Sequence, residues 1–125
     1  MRFGIFTLDD WDVSGRTVLC RVDINQPVDR AAGTLRSTKR IEACVPTVRE
    51  LADKGAKVVL LAHQGSDIEY QNYWSTEPDA QVLRRLLGRE VQWIDDVCGP
   101  AARAALRSLG DGDILLLDNV RFLGE

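Results

Sequence analysis

The apolar positions of this chain fall into alternating strand-like and helix-like stretches. Arg16–Ile24 (RTVLCRVDI) is short, rich in β-branched residues and bounded by Gly15 and Pro27, which predicts a strand. From Ser37 to Lys54 the residues Ile41, Cys44, Val45, Val48, Leu51 and Ala52 recur at helical spacing, and Gly55 stops the run. Pro46 lies inside it, so either a kink or an irregular lead before a helix starting near Pro46 is expected. Ala56–Ala62 (AKVVLLA) is almost continuously apolar, the pattern of a strand buried on both faces. After a long loop, Thr76 is placed to cap a helix, with Pro78 in its first turn and Asp79 three residues beyond the cap. Ala80, Leu83, Leu86 and Leu87 form the buried side of that helix, and Gly88 ends it. Glu90–Ile94 reads as a strand, Pro100–Leu109 as a short helix burying Ala101, Ala105 and Leu109, and Asp113–Leu117 (DILLL) as a last apolar strand.

This β-α-β-α-β-α-β order predicts an α/β protein: a Rossmann-like parallel sheet of four strands in a three-layer αβα sandwich with three helices. The 125 residues suit one domain and one hydrophobic core. The sequence stops directly after the last strand, without the next crossover helix. The expectation is therefore a partial domain, residues 1–125, at the front of something longer.

Composition narrows the chemistry. Sixteen Lys and Arg against nineteen Asp and Glu give a net charge of −3, so no general basic field exists for a nucleic-acid backbone. Any anion site must be a local convergence of arginines. The longest apolar run, Val58–Ala62, is far too short to span a membrane, and Asp9 and Asp10 interrupt any leader-like start. Three widely spaced cysteines, Cys20, Cys44 and Cys98, fit neither a disulfide framework nor a CxxC metal site. A cytoplasmic protein with reduced thiols is expected. The single histidine, His63, excludes a multi-histidine zinc site.

Ligands of open parallel sheets bind outside the carboxyl ends of the strands. Arg21, Asp23 and Asn25 share parity at the first such end, the second ends at His63, the third at Asp95 and Asp96, and the fourth at Asp118, Asn119 and Arg121. Arg40 stands at the start of the first helix, where backbone N–H groups add to its charge. Together these describe a small pocket for a polar, anionic ligand. Simpler readings compete: Arg21 and Asp23 as an ion pair, His63 as a loop anchor, Asp95–Asp96 as a cap for the helix that follows, and Gly110–Gly112 as a turn. No GxxxxGK[ST] segment is present, so there is no P-loop.

Four stretches resemble phosphoglycerate kinase, in the right order. Arg21–Pro27 (RVDINQP) is similar to the family's RVDxNxP signature, and Thr38–Ile41 with Pro46-Thr47 to its DTRI…PT helix. Gly55–His63 (GAKVVLLAH) is similar to its GAKVVLxSH strand, and Gly112–Phe122 (GDILLLDNVRF) to its GDVLLLENxRF segment. The variants RVDIN and AHQ look more like the archaeal branch. The resemblance implies two Rossmann-like domains joined by a hinge, of which this chain carries the opening part of the first. That domain binds 3-phosphoglycerate or 1,3-bisphosphoglycerate; a second, absent from these residues, binds Mg-ADP or Mg-ATP. The chain taken alone is expected to be inactive.

Carried over residue by residue, the resemblance has Asp23 and Asn25 hydrogen-bond the hydroxyl and carboxylate end of the substrate. Arg40 stands nearest the transferring phosphoryl group, and His63 and Arg121 hold phosphate and carboxylate oxygens. Arg21 would orient Asp23. Gln64, Gly65 and Ser66 fall where the family has its His-x-Gly-Arg-Pro substrate loop, so Ser66 and Asp67 stand in place of Arg-Pro. Ser37-Thr38-Lys39-Arg40 replaces DDTR, which makes that corner more basic. A re-specialised paralogue acting on another small phosphorylated acid is the alternative these departures raise. A signalling receiver domain suits the length, but the last strand ends in Asp118-Asn119 where a receiver needs lysine.

Overall fold

Two of the predicted strands are almost continuously apolar, and such strands belong in the middle of a sheet covered on both sides. The computed structural model, which describes residues 4, 7–24, 28–29, 34–35, 39–63 and 75–120, places them there. Strand β1 (Thr17–Arg21) is followed by β2 (Val28–Asp29) and β3 (Thr34–Leu35), helix α1 (Lys39–Asp53), β4 (Lys57–Leu61), α2 (Glu77–Leu87), β5 (Gln92–Ile94), α3 (Pro100–Arg107) and β6 (Ile114–Leu117). The main sheet is parallel with order β1-β4-β6-β5, so β4 and β6 are central and the half-exposed β1 is an edge. The short antiparallel pair β2–β3 was not anticipated by the hydrophobic pattern; two residues per strand carry no periodicity.

Period-two alternation divides the core cleanly. Val58 and Leu60 of β4 and Ile114 and Leu116 of β6 face a layer made by Ile41, Val48 and Leu51 of α1 and Ala80, Leu83 and Leu87 of α2. Val59 of β4 and Leu115 and Leu117 of β6 face the other way, with Ala102 of α3 and Leu109. This is the three-layer arrangement expected. In α3 the buried side is centred on Ala102, while Ala101 is exposed, a shift of one residue from the predicted stripe.

Helix α1 begins at Lys39 and continues through Pro46, which rules out an irregular lead ending at the proline. Pro46 contributes no N–H to the helix, but it lies on the exposed side, where water reaches the backbone. Gly88 closes α2 at φ 66°, its N–H bonded to the carbonyl of Arg84 at 2.9 Å. Nothing lies within 4 Å of a Cβ placed there. Gly88→Ala is therefore expected to cost only the left-handed backbone strain, about 1 kcal/mol, and Gly88→Asn less, as measured by urea denaturation.

Thr76 does not cap α2 through its side chain. Its Oγ1 donates to the carbonyl of Leu117 at 2.8 Å and accepts the indole N–H of Trp93 at 3.0 Å. Ser75 Oγ takes the local role, accepting the Glu77 N–H at 3.1 Å. Asp79, the presumed partner in that cap, is fully buried, and neither carboxyl oxygen has a hydrogen-bond partner.

Candidate functional site

Parallel β1 and β4 run in register with Arg21 opposite Leu61, and the Val22 N–H bonds the Leu61 carbonyl at 3.0 Å. Two residues further along each chain stand Asp23 and His63, level with one another at the carboxyl edge of the sheet. Helix α1 starts at the same edge, and Arg40, in its first turn, places Nη1 3.3 Å from Asp23 Oδ1. The two side chains are 55% and 71% exposed, so the pair contributes under about 1 kcal/mol. An incoming phosphate or carboxylate can displace it. The start of α1 adds its positive dipole end to the charge of Arg40.

The opposite part of the rim is acidic. Asp96 accepts the backbone N–H groups of Val97, Gly99 and Ala102 at 2.8, 3.2 and 2.9 Å. These bonds, that from Ala102 foremost, hold its carboxyl below the usual aspartate range. The expected capping role of this pair thus falls to Asp96. Asp95 moves the other way, raised first by hydrogen bonding to the Asp118 carboxyl and then by its charge. An anion is therefore favoured on the β1, β4 and α1 side of the edge and opposed on the β5 side.

The turn after β6 is tied across this edge. Asp118 Oδ1 accepts the N–H groups of Thr76 and Asn119, and its own N–H donates to the Asp96 carbonyl. The Val120 N–H donates to the carbonyl of Ala62, the residue before His63, at 3.0 Å. The structure thus brings Asp23, Arg40 and His63 to one edge. Asn25, Gln64, Gly65, Ser66 and Arg121 lie outside the described residues.

Asp23 pairs with Arg40. Arg21 lines a recess of about 590 Å³ on the α3 face, among Leu19, Leu61, Leu106 and Arg103. That mostly apolar lining suits a phosphorylated acid poorly. The sequence reading missed the anchoring role of Thr76. A usable signal was the tryptophan on short, edge-forming β5, since an inward-facing indole N–H needs an acceptor. Cys20, Cys44 and Cys98 are all unpaired thiols; burial, chiefly, pushes Cys44 up to about 11.

The family model described as Phosphoglycerate kinase matches residues 8–125. A phosphoglycerate kinase of Sulfurisphaera tokodaii is 44% identical over 122 residues, covering 98% of this chain and 29% of the relative. One from Rhodopseudomonas palustris is 46% identical over 119 residues, covering 95% and 29%. Among solved structures, phosphoglycerate kinase from Pyrococcus horikoshii superimposes with a TM-score of 0.87 at 39% identity, over 94% of this chain and 28% of that one. The chain thus spans less than a third of the length of the relatives it matches.

Proposed function

The chain belongs to the phosphoglycerate kinase family, and from that premise we propose that it supplies the phosphoglycerate-binding side of the kinase. In the whole protein the reaction moves a phosphoryl group from the acyl phosphate of 1,3-bisphosphoglycerate to ADP, giving 3-phosphoglycerate and ATP, and the reverse. The bond between phosphorus and the carboxyl oxygen breaks, and one to the terminal ADP oxygen forms. We assign residues 1–125 to part of an N-terminal domain, and the magnesium nucleotide to a further domain. Among the described residues no three His, Cys, Asp or Glu side chains gather as metal ligands. A cytoplasmic setting suits the unpaired thiols.

The observation that carries the proposal is the exposed Arg40–Asp23 pair at a helix start, level with His63. Charge on the transferring phosphoryl is spread over its three outer oxygens, so catalysis rests on positioning and electrostatic stabilisation. Arg40 supplies the stabilising charge, because its guanidinium is permanently cationic and the α1 dipole points the same way. Asp23 and Asn25 orient the hydroxyl and carboxylate end of the substrate. His63 and Arg121 hold its remaining oxygens, with Gln64, Gly65 and Ser66 following His63 in the same substrate stretch. Lys39, beside Arg40 in sequence, adds a positive charge that compensates for Ser66 standing in place of the family's arginine.

A coupled assay of the complete protein with 3-phosphoglycerate and MgATP tests this. Saturable, phosphoglycerate-dependent ADP release is expected; none at any substrate concentration overturns the proposal. Arg121→Ala should raise the KM for 3-phosphoglycerate about 10- to 100-fold, the loss of one charge-assisted hydrogen bond, with kcat much less affected.

A further inference from the structure

We propose that Asp118 is a positioning residue of the phosphoglycerate site, holding the end of β4, and with it His63, in register with the other strand ends. This rests on the functional reading above. Asp118 is 4% exposed, and besides its hydrogen bond with the Asp95 carboxyl it works through backbone amides. One oxygen accepts two amides from different places, Thr76 at the start of α2 at 3.1 Å and Asn119 at 2.8 Å. Its own N–H reaches Asp96, beyond β5, at 3.1 Å. Thr76 returns to the same strand through its hydroxyl, bonded to Leu117, and carries the Trp93 indole of β5. The turn so fixed ends at Val120, whose N–H holds the Ala62 carbonyl at 3.0 Å.

Three elements are thereby locked around one buried carboxylate, and the last link of the chain is the residue before His63. Its two amide bonds, with the hydrogen bond to the Asp95 carboxyl, account for its position. Asparagine can present the same oxygen to both amides. Arg40 stands outside the network, on α1, and this predicts a separation of effects: the site's hold on substrate depends on Asp118, while the chemical step does not.

The test uses the complete protein. Asp118→Ala is expected to raise the KM for 3-phosphoglycerate about tenfold, the effect of losing buried amide partners, with kcat within about threefold of wild type. Asp118→Asn should restore KM to within about twofold. Hydrogen exchange at the Val120 amide should accelerate in the alanine variant and stay slow in the asparagine one, whatever the activity. Unchanged KM and unchanged Val120 protection in Asp118→Ala overturn the inference; so does an asparagine variant as impaired as alanine, which would make charge the cause. Absence of turnover in the wild type overturns the functional reading instead, and Val120 exchange then decides the structural claim alone. Should Asp118→Ala fail to fold, Thr76→Val, which cuts only the hydroxyl links, must raise KM and loosen Val120; no change in either counts against the proposal.

Discussion

Arg40→Ala in the complete protein is expected to lower kcat about 100- to 1,000-fold, the usual cost of removing one preorganised transition-state donor. The effect should fall on kcat more than on KM. Charge at the transferring phosphoryl is largest in the transition state, and Arg40 is the cation nearest to where the resemblance puts that group. Stability gives the control. Arg40 pairs with the exposed carboxylate of Asp23, a solvent-screened contact, so the alanine variant should unfold within about 1 kcal/mol of wild type. Arg40→Lys keeps the charge but loses the planar fork, and should recover only part of the rate. A kcat within threefold of wild type would remove Arg40 from the reaction.

The second large effect concerns stability and pH. Asp79 is fully buried between α2 and the core, neither oxygen is hydrogen-bonded, and desolvation pushes its pKa from 3.8 up to about 8. At neutral pH the folded protein therefore keeps this carboxyl protonated while the unfolded chain ionises it. Between about pH 4 and pH 8 the folded state holds one proton more, so stability falls as pH rises, by about 1.4 kcal/mol per unit. The contribution is complete below the unfolded pKa and is gone above about 8. Its ionisable neighbour Cys44, on α1, is raised to about 11, chiefly by burial, and does not titrate in this window. Asp95 is raised and Asp96 lowered, but both are common to wild type and variant and cancel in the difference. Urea denaturation from pH 4.5 to 8.5 should show Asp79→Ala with a flatter profile than wild type. Parallel profiles would mean that the carboxyl finds a partner in solution.

What was legible in the sequence follows from which forces are local. The uninterrupted apolar runs at Val58–Leu61 and Ile114–Leu117 identify the two central strands, because only those positions are covered on both faces. Helix ends at Gly55 and Gly88 were equally readable, since each needs a left-handed residue there. Long-range choices were not. Thr76 has the chemistry of a cap, and only the approach of Leu117 and Trp93 turns its hydroxyl elsewhere. Asp79 has the position of a cap-box acid, and its burial depends on packing that no local pattern encodes. Asp23 and Arg40, 17 residues apart, pair because α1 begins over the end of β1. Parity put Arg21 and Asp23 on one exposed face, and both are exposed, yet parity could not tell which cation Asp23 would choose.

The clustering of Arg40, His63 and Asp23 around a small phosphorylated acid is tested most directly by a crystal structure of the complete protein soaked with 3-phosphoglycerate. Ligand density is expected at the carboxyl edge of β1 and β4, its anionic oxygens within hydrogen-bond reach of Arg40 and His63, with the Arg40–Asp23 contact opened. Density confined to another surface, with Arg40 still against Asp23 at saturating ligand, would contradict it.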